Sequence, residues 1–339
     1  MREDENRERN RKVNKRKKSS IKTTIGFFIY MLIIGVVTTP LFVFYGPFQN
    51  VKRTIVGTAM ATFTHQYIAT TFLSQDEINK ILKSSQNGQT TSAEAENLSE
   101  VKISHTGDKG ISRYDIPNKK FNGYILEISD PTRLKIGWTK KIEEVGQRTS
   151  EIAEENGAVA AINGGGFTDR SSNGKLWAGT GAYPEGLVIS DGKVVYSDVK
   201  ANEKVNITAF TADGTLIVGD HTLNDLKKRN VVEAVSFRNS LIINGKTVAV
   251  EDEGLNPRTA IGQKSDGTIV MLVIDGRTGL KPGATLKEVQ NILLQQGVIN
   301  ASNLDGGSSS TMYLNGEIIN NPCDWNGERT VATAIYVKP

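Results

Sequence analysis

Cysteine is nearly missing from this chain of 339 residues: Cys323 stands alone, which leaves no intrachain disulfide and no cysteine-based zinc site. Stability must come from an ordinary apolar core. Histidine is almost as scarce, with only His65, His105 and His221. None accompanies a nucleophile motif, and the segment GGSSS lacks the G-x-S-x-G elbow that exposes a serine, so a Ser-His-Asp hydrolase is excluded. No H-E-x-x-H, Walker loop or dinucleotide glycine pattern is present, and no cofactor is implied.

Charge is absent from Thr23 to Val51. The heart of that run, Ile25 to Gly46, meets the roughly 20 apolar residues a transmembrane helix needs. Ahead of it, residues 1 to 20 hold nine Lys/Arg against four Asp/Glu, a balance of +5 where the whole chain carries +4, so the remainder sits at about −1. The basic character belongs to the tail and gives no support for nucleic-acid binding by the folded part, which would need clustered Lys/Arg of its own. The expected order is a cytoplasmic tail over residues 1–22, a membrane anchor over 23–51, and everything beyond outside the cell, because Lys15-Arg16-Lys17-Lys18 would be retained inside. The competing reading is a cleaved signal peptide. Its apolar region would be shorter, and the first A-x-A-like triplet after the run, Ala59-Met60-Ala61, lies behind Lys52 and Arg53. An exported chain without disulfides suits a bacterial surface protein better than an animal secretory domain.

Residues 52–83 read as a stalk that ends in a short helix, with Ser74 as N-cap and Glu77 three places on. Residues 84–100 lack aromatic and β-branched apolar residues and read as a flexible linker, completing a stalk-and-linker region over 52–100. The globular domain is expected over 101–339. Asp191-Gly192, Asp213-Gly214, Asn244-Gly245, Asp266-Gly267 and Asn315-Gly316 each separate β-rich runs and predict tight hairpins. Helices are expected over Ile142 to Asn156, Leu223 to Arg229 and Thr285 to Gln296. The fold class is therefore α+β: a single mixed domain rich in hairpins with two or three packed helices.

Polar and glycine clusters follow or open several strands: Asn163-Gly164-Gly165-Gly166-Phe167, Asn256-Pro257-Arg258-Thr259, Asp275-Gly276-Arg277 and Asp305-Gly306-Gly307. Taken singly, each is ordinary turn chemistry. Together they place two carboxylates at strand ends, where loops over a rigid sheet commonly build sites. Glycine beside an acid clears side-chain bulk, and Gly306, Gly307, Ser308 and Ser309 offer backbone N–H and hydroxyl donors to sugar or phosphate oxygens.

The segments AAINGGGF, NPRTAIG, VIDGR, NLDGGSSSTM and RTVATAIYV, in this order, resemble the phosphodiester glycosidase family over about residues 101–339. One departure is Ser308, where many relatives carry a third glycine. The resemblance implies cleavage between a sugar anomeric carbon and a phosphodiester oxygen. It implies Asp305 and Asp275 as the catalytic carboxylates. Arg258 and Arg277 would bind phosphate, and Asn163 and Asn303 would hold sugar hydroxyls, with Gly164, Gly165, Gly306, Gly307, Ser308 and Ser309 lining the pocket. Glu328 and Arg329 are second-rank candidates that serve equally well as an exposed charge pair.

The resulting expectation is a membrane-anchored, extracytoplasmic enzyme acting on N-acetylglucosamine-1-phosphodiester-like linkages, with a cell-surface polysaccharide or teichoic-acid-like glycopolymer as partner. Two alternatives stay open. The same groove could bind such a polymer without cutting it, as an exopolysaccharide assembly factor. A metal-dependent hydrolase could use Asp275, Asp305 and Asn303 as oxygen ligands, although no acid-rich loop of the usual kind is present and no metal is expected.

Overall fold

The computed structural model describes residues 2–60, 66–86, 96–168, 180–251 and 253–339. By its contacts the chain divides into two units, meeting between Lys52 and Arg53. In the first, one helix, Arg2–Tyr45, contains both the basic tail and the apolar run. Its segment Thr24–Tyr45 has 22 residues and is long and apolar enough to cross a membrane. At 1.5 Å per residue it extends about 33 Å, against a hydrocarbon core of about 30 Å.

In the second unit the helix Gln75–Gln86 starts as its sequence predicts: Glu77 N donates to Ser74 Oγ at 3.3 Å and Ser74 N donates to Glu77 Oε2 at 3.0 Å. His65 and residues 87–95 of the expected linker lie outside the described residues. The globular part is already anchored ahead of Val101. The buried Glu96 carboxylate accepts from Arg229 Nη1 at 2.7 Å and faces His221 Nε2 at 3.1 Å, and Asn97 N donates to Asn244 Oδ1 at 2.7 Å.

All five Asp-Gly or Asn-Gly pairs turn hairpins. Asp191, Asn244 and Asn315 take φ values of 47°, 51° and 50°, each followed by a left-handed glycine, as type I′ turns require. The helices Leu223–Lys228 and Leu286–Gln295 match expectation, each closed by a capping box from Thr222 or Thr285. The third is shorter than predicted, running only Thr149–Glu155. Tertiary pairing overrides its first half: Glu143 has φ 66°, and Gln147–Arg148 forms a two-residue strand against Thr330–Val331.

Three sheets surround one core. Leu126, Ile261, Met271, Val273 and Leu304 of a seven-stranded sheet meet Ile136, Ile162 and Ile335 of one five-stranded sheet and Phe210, Val218 and Val235 of the other. The helix Leu286–Gln295 covers the opposite face of the seven-stranded sheet through Leu286, Val289 and Leu293. The α+β class, with three helices packed on hairpin-rich sheets, is thus what the chain adopts.

The functional consequence lies in one register. The strand Arg258–Lys264 is antiparallel to both Ile269–Ile274 and Val298–Leu304, with Arg258 opposite Ile274 and Thr259 opposite Leu304. The ends that deliver Asp275 and Asp305 therefore emerge on the same edge, on either side of Arg258. Neighbouring strands lie about 4.8 Å apart, so these two ends are separated by about 10 Å of sheet.

Candidate active site

Asp305 sits where the strand Val298–Leu304 gives way to the 3-10 turn Gly307–Ser309. Its backbone is locked to the first glycine cluster: Asp305 N donates to Gly164 O at 3.2 Å, and its carbonyl accepts from Asn163 Nδ2 at 2.6 Å. The residue keeps partial contact with solvent, yet enough protein crowds its carboxyl that burial, with the charge of Glu185, pushes its pKa up to about 6. Ser309, Arg329 and Arg238 pull the other way without winning. A carboxyl perturbed by burial and by specific charged neighbours is a candidate for a functional group.

The loop after Asp305 is packed against arginines. Arg329 donates from Nη1 to Ser308 Oγ at 3.3 Å and stacks with its guanidinium carbon 4.9 Å from the Phe167 ring centre. Gly307 has φ 64°, and a Cβ there would stand 3.4 Å from Arg277 Nη1. A larger residue would thus be strained and would press on the guanidinium. Arg277 is half-buried, itself left-handed at φ 57°, and donates from Nη2 to Asn256 Oδ1 at 2.7 Å. Among the described residues it has no ion pair, and burial with repulsion from Arg258 and Arg329 lowers its pKa. A cation held this way favours an incoming anion.

Two buried polar atoms in this stretch, Asn303 Oδ1 and Thr311 Oγ1, complete no hydrogen bond among the described residues, while Ser309 Oγ is directed at the Asp305 carboxylate. Such groups normally have partners, so these two are open to polar groups brought in from outside the protein.

The other candidates divide by what they touch. Asp275, 3% exposed, accepts from Asn320 Nδ2 at 2.9 Å and from Asn321 N at 3.0 and 3.1 Å, with Tyr124 alongside. Burial raises its pKa despite these donors. It organises the loop 320–323, and its partners are not those of Asp305. Arg258 is committed to protein: Nε donates to Ala284 O at 3.1 Å, Nη1 to Glu253 Oε2 at 2.8 Å and Nη2 to Gly254 O at 3.0 Å. The planar fork expected at a phosphate instead ties the start of its strand to the preceding loop. Asn163 is likewise engaged inside, its Oδ1 accepting from Thr259 Oγ1 and Thr311 N. Gly164 and Gly165 owe their small size to the protein itself, since a Cβ at either would lie 2.5 Å from Thr333 Oγ1 or Ser236 O. Gly306 packs on Pro257 O in the same manner. Glu328 accepts from Ser150 N at 3.0 Å and Ser150 Oγ at 2.5 Å, so it caps the helix Thr149–Glu155. Its neighbour Arg329 is the one of that pair that reaches the site.

Sequence reasoning missed Glu185 and Arg238. Glu185 accepts from Thr168 Oγ1 at 2.9 Å, and its N donates to Gly166 O at 2.9 Å, which sets a second carboxylate against the glycine triplet. Only the glycine after it, left-handed at φ 74°, distinguished that segment. Asn320 and Asn321 were findable, since they form a polar cluster after a strand like the others. Among the described residues no group of three or more His, Cys, Asp or Glu is placed to hold a metal ion.

The model of the phosphodiester glycosidase family matches residues 156–338. The chain is 32% identical over 219 residues to an uncharacterized SPbeta prophage-derived protein of Bacillus subtilis, covering 61% of this chain and 31% of that one. It is 30% identical over 252 residues to the N-acetylglucosamine-1-phosphodiester alpha-N-acetylglucosaminidase of Mus musculus, covering 63% and 45%. The chain thus spans less than half the length of these curated relatives. The catalytic domain of the zebrafish N-acetylglucosamine-1-phosphodiester alpha-N-acetylglucosaminidase, auto-inhibited by its pro-peptide, shares the fold with a TM-score of 0.58 at 23% identity, over 70% of this chain and 87% of that one. Every cluster from Asn163 to Asp305 falls inside a family match that takes in more than half of the sequence, and the chain belongs to the phosphodiester glycosidase family.

Proposed function

We propose that the protein is a phosphodiester glycosidase that hydrolyses the bond between a sugar C1 and a phosphodiester oxygen, with an N-acetylglucosamine-1-phosphodiester-like unit of a cell-surface glycopolymer as substrate. The observation that carries this reading is Asp305, whose carboxyl burial pushes up to about 6 against the opposing charge of Arg329, set directly before a Gly307–Ser309 turn against which Arg277 and Arg329 both stand. The C1–O bond breaks with its electrons passing to the phosphate oxygen. That leaving group is already acidic and needs little proton donation, so positive charge near phosphate is the larger requirement. Ionised Asp305 faces the cationic sugar as nucleophile or base, and water supplies the hydroxyl that ends on C1. Glu185 is the second carboxylate of the site. Asp275 holds the loop 320–323, and Arg258 and Asn163 keep the strand ends in register.

The proposal extends to place. The Thr24–Tyr45 helix, behind the basic Lys15–Lys18 cluster, supports an uncleaved anchor with the globular part outside. Protease added to intact wall-stripped cells should then remove that part, and protection until lysis would overturn the topology. For the activity, the full chain in detergent is incubated with an N-acetylglucosamine-1-phosphodiester. Free sugar should accumulate with the parent and not with Asp305→Asn. Tight binding without any free sugar would favour the non-catalytic polymer-binding role instead.

A further inference from the structure

The loop that leads into the strand Arg258–Lys264 meets two arginines and treats them differently. Glu253 gives its carboxylate to Arg258, whose Nη1 donates at 2.8 Å. Three residues on, Asn256 gives Arg277 an amide oxygen, which accepts from Nη2 at 2.7 Å. That oxygen is fixed by the rest of the residue. Asn256 Nδ2 donates to Glu253 O at 2.9 Å, and the Asn256 backbone exchanges both of its hydrogen bonds with Ala284, at 3.1 and 2.9 Å. A flipped amide would turn its N–H groups on the guanidinium and its oxygen on a carbonyl, so the two contacts decide which atom faces Arg277. The other neighbour of this guanidinium is neutral as well: the Cys323 thiol interacts with it, and burial pushes that thiol up so that it stays protonated. Asp275, two residues before Arg277, is turned to Asn320 and Asn321. The far side of the fork, Nη1, stands 3.4 Å from where a Cβ on Gly307 would lie, in the turn that follows Asp305.

We propose that Asn256 is the positioning residue of the phosphate site: it aims Arg277 at the turn after Asp305 while leaving the positive charge for the substrate. This deepens the phosphodiester reading and rests on it. Asn256→Asp would hold the same nitrogen at least as firmly, since charge-assisted hydrogen bonds are the stronger ones. It would also neutralise the cation before any anion arrives, and the electrostatic attraction on which phosphate binding depends would be spent inside the protein. A neutral oxygen orients the guanidinium without that loss. Arg258 supplies the contrast, because the same loop uses a carboxylate where the arginine only ties the strand to its neighbours. Arg277 needs such a hold. Its backbone is left-handed at φ 57°, which a residue other than glycine keeps only where its surroundings impose it, and an unheld side chain would have to be ordered at the moment of binding.

Calorimetric titration of the full chain in detergent with methyl phosphate tests this through a double-mutant cycle and needs no turnover. The parent should bind, and Arg277→Ala and Asn256→Ala should each weaken binding about tenfold or more. The double variant should bind no more weakly than Arg277→Ala, because Asn256 acts only through that guanidinium. A residue that merely braces the loop would cost as much in the Arg277→Ala background as in the parent, and such additivity overturns the inference. Asn256→Ser, whose hydroxyl is too short to reach Nη2, closes the same cycle if Asn256→Ala does not fold. Asn256→Asp keeps an acceptor for Arg277 and should still lose most of the affinity. Parental binding by Asn256→Asp or by Asn256→Ala, with Arg277→Ala weakened, overturns the inference and leaves the phosphodiester reading in place. A parent that does not bind methyl phosphate, or binding that is unmoved in Arg277→Ala, overturns both.

Discussion

Asn163 Nδ2 donates to the backbone carbonyl of Asp305 at 2.6 Å, while Asn163 Oδ1 accepts from Thr259 Oγ1 at 2.8 Å and Thr311 N at 3.1 Å. One buried amide thereby ties the strand Ala160–Asn163 to the strand Arg258–Lys264 and to both ends of the segment from Asp305 to Thr311. Removing it takes the partner from the N–H of Thr311 and from the carbonyl of Asp305, while the Thr259 hydroxyl keeps Ser310 Oγ at 3.2 Å. Asn163→Ala should therefore lose about 2–4 kcal/mol, given roughly 1–3 kcal/mol for each buried group left unsatisfied. Urea unfolding should show a lower midpoint at unchanged slope. A stability within about 0.5 kcal/mol of the parent would mean that the network is dispensable.

The pKa of Asp305 sets two opposite pH effects. Its folded value, about 6, lies above the ordinary carboxylate range. Stabilisation from its protonation is thus complete below the unfolded pKa near 4 and is lost as pH rises through 6. Activity that needs the ionised form rises through the same window. Asp305→Asn should lower turnover at least about a hundredfold and yet raise the melting temperature at pH 7.5 relative to pH 5. A pH–rate profile that falls through 6 would make Asp305 the acid.

Arg258 and Arg277 should separate cleanly. Losing Arg258 leaves Glu253 without its closest cation, at 2.8 Å, and removes one donor each from the carbonyls of Ala284 and Gly254. Breaking a buried pair of this kind costs about 3–5 kcal/mol, so Arg258→Ala should be chiefly a stability variant. Arg277→Lys removes the planar fork from a position already strained by two neighbouring arginines. It should leave unfolding nearly unchanged and raise KM for the phosphodiester about tenfold or more. The reverse pattern, measured by thermal unfolding and steady-state kinetics, would exchange their roles.

What could be read in advance follows from the range of the forces involved. Hairpins set by Asp-Gly and Asn-Gly are local, and all five form. The helix expected over Ile142 to Asn156 fails in its first half because Gln147–Arg148 is recruited by a strand almost two hundred residues away, which no local periodicity records. The same division holds in the candidate site. Strand-end clusters pointed to Asp305, Asp275, Arg258 and Arg277 alike, with Glu328 ranked behind them, and only the fold shows Glu253 holding Arg258 and Ser150 holding Glu328. Glu185 reaches Asp305 from a distant segment, and nothing beside it in sequence marked that partnership.

Glu185 supplies the most discriminating measurement. Its charge is one cause of the raised pKa of Asp305, second in kind to burial and opposed by Arg329 and Arg238. Glu185→Gln retains the shape and can still accept the Thr168 hydroxyl that Oε1 now receives at 2.9 Å, so the fold should persist. Without the negative charge, ionised Asp305 is less disfavoured. The rising limb of the pH–rate profile should move to lower pH, by up to about one unit, which corresponds to about 1.4 kcal/mol of interaction. Turnover on the plateau tells what else Glu185 does. A plateau within about twofold of the parent makes Glu185 a tuning residue acting through Asp305, and a fall of about a hundredfold makes the two acids a working pair. A limb that stays in place with the plateau unchanged would show that the two carboxylates do not interact, and the site would then rest on Asp305 and its arginines alone.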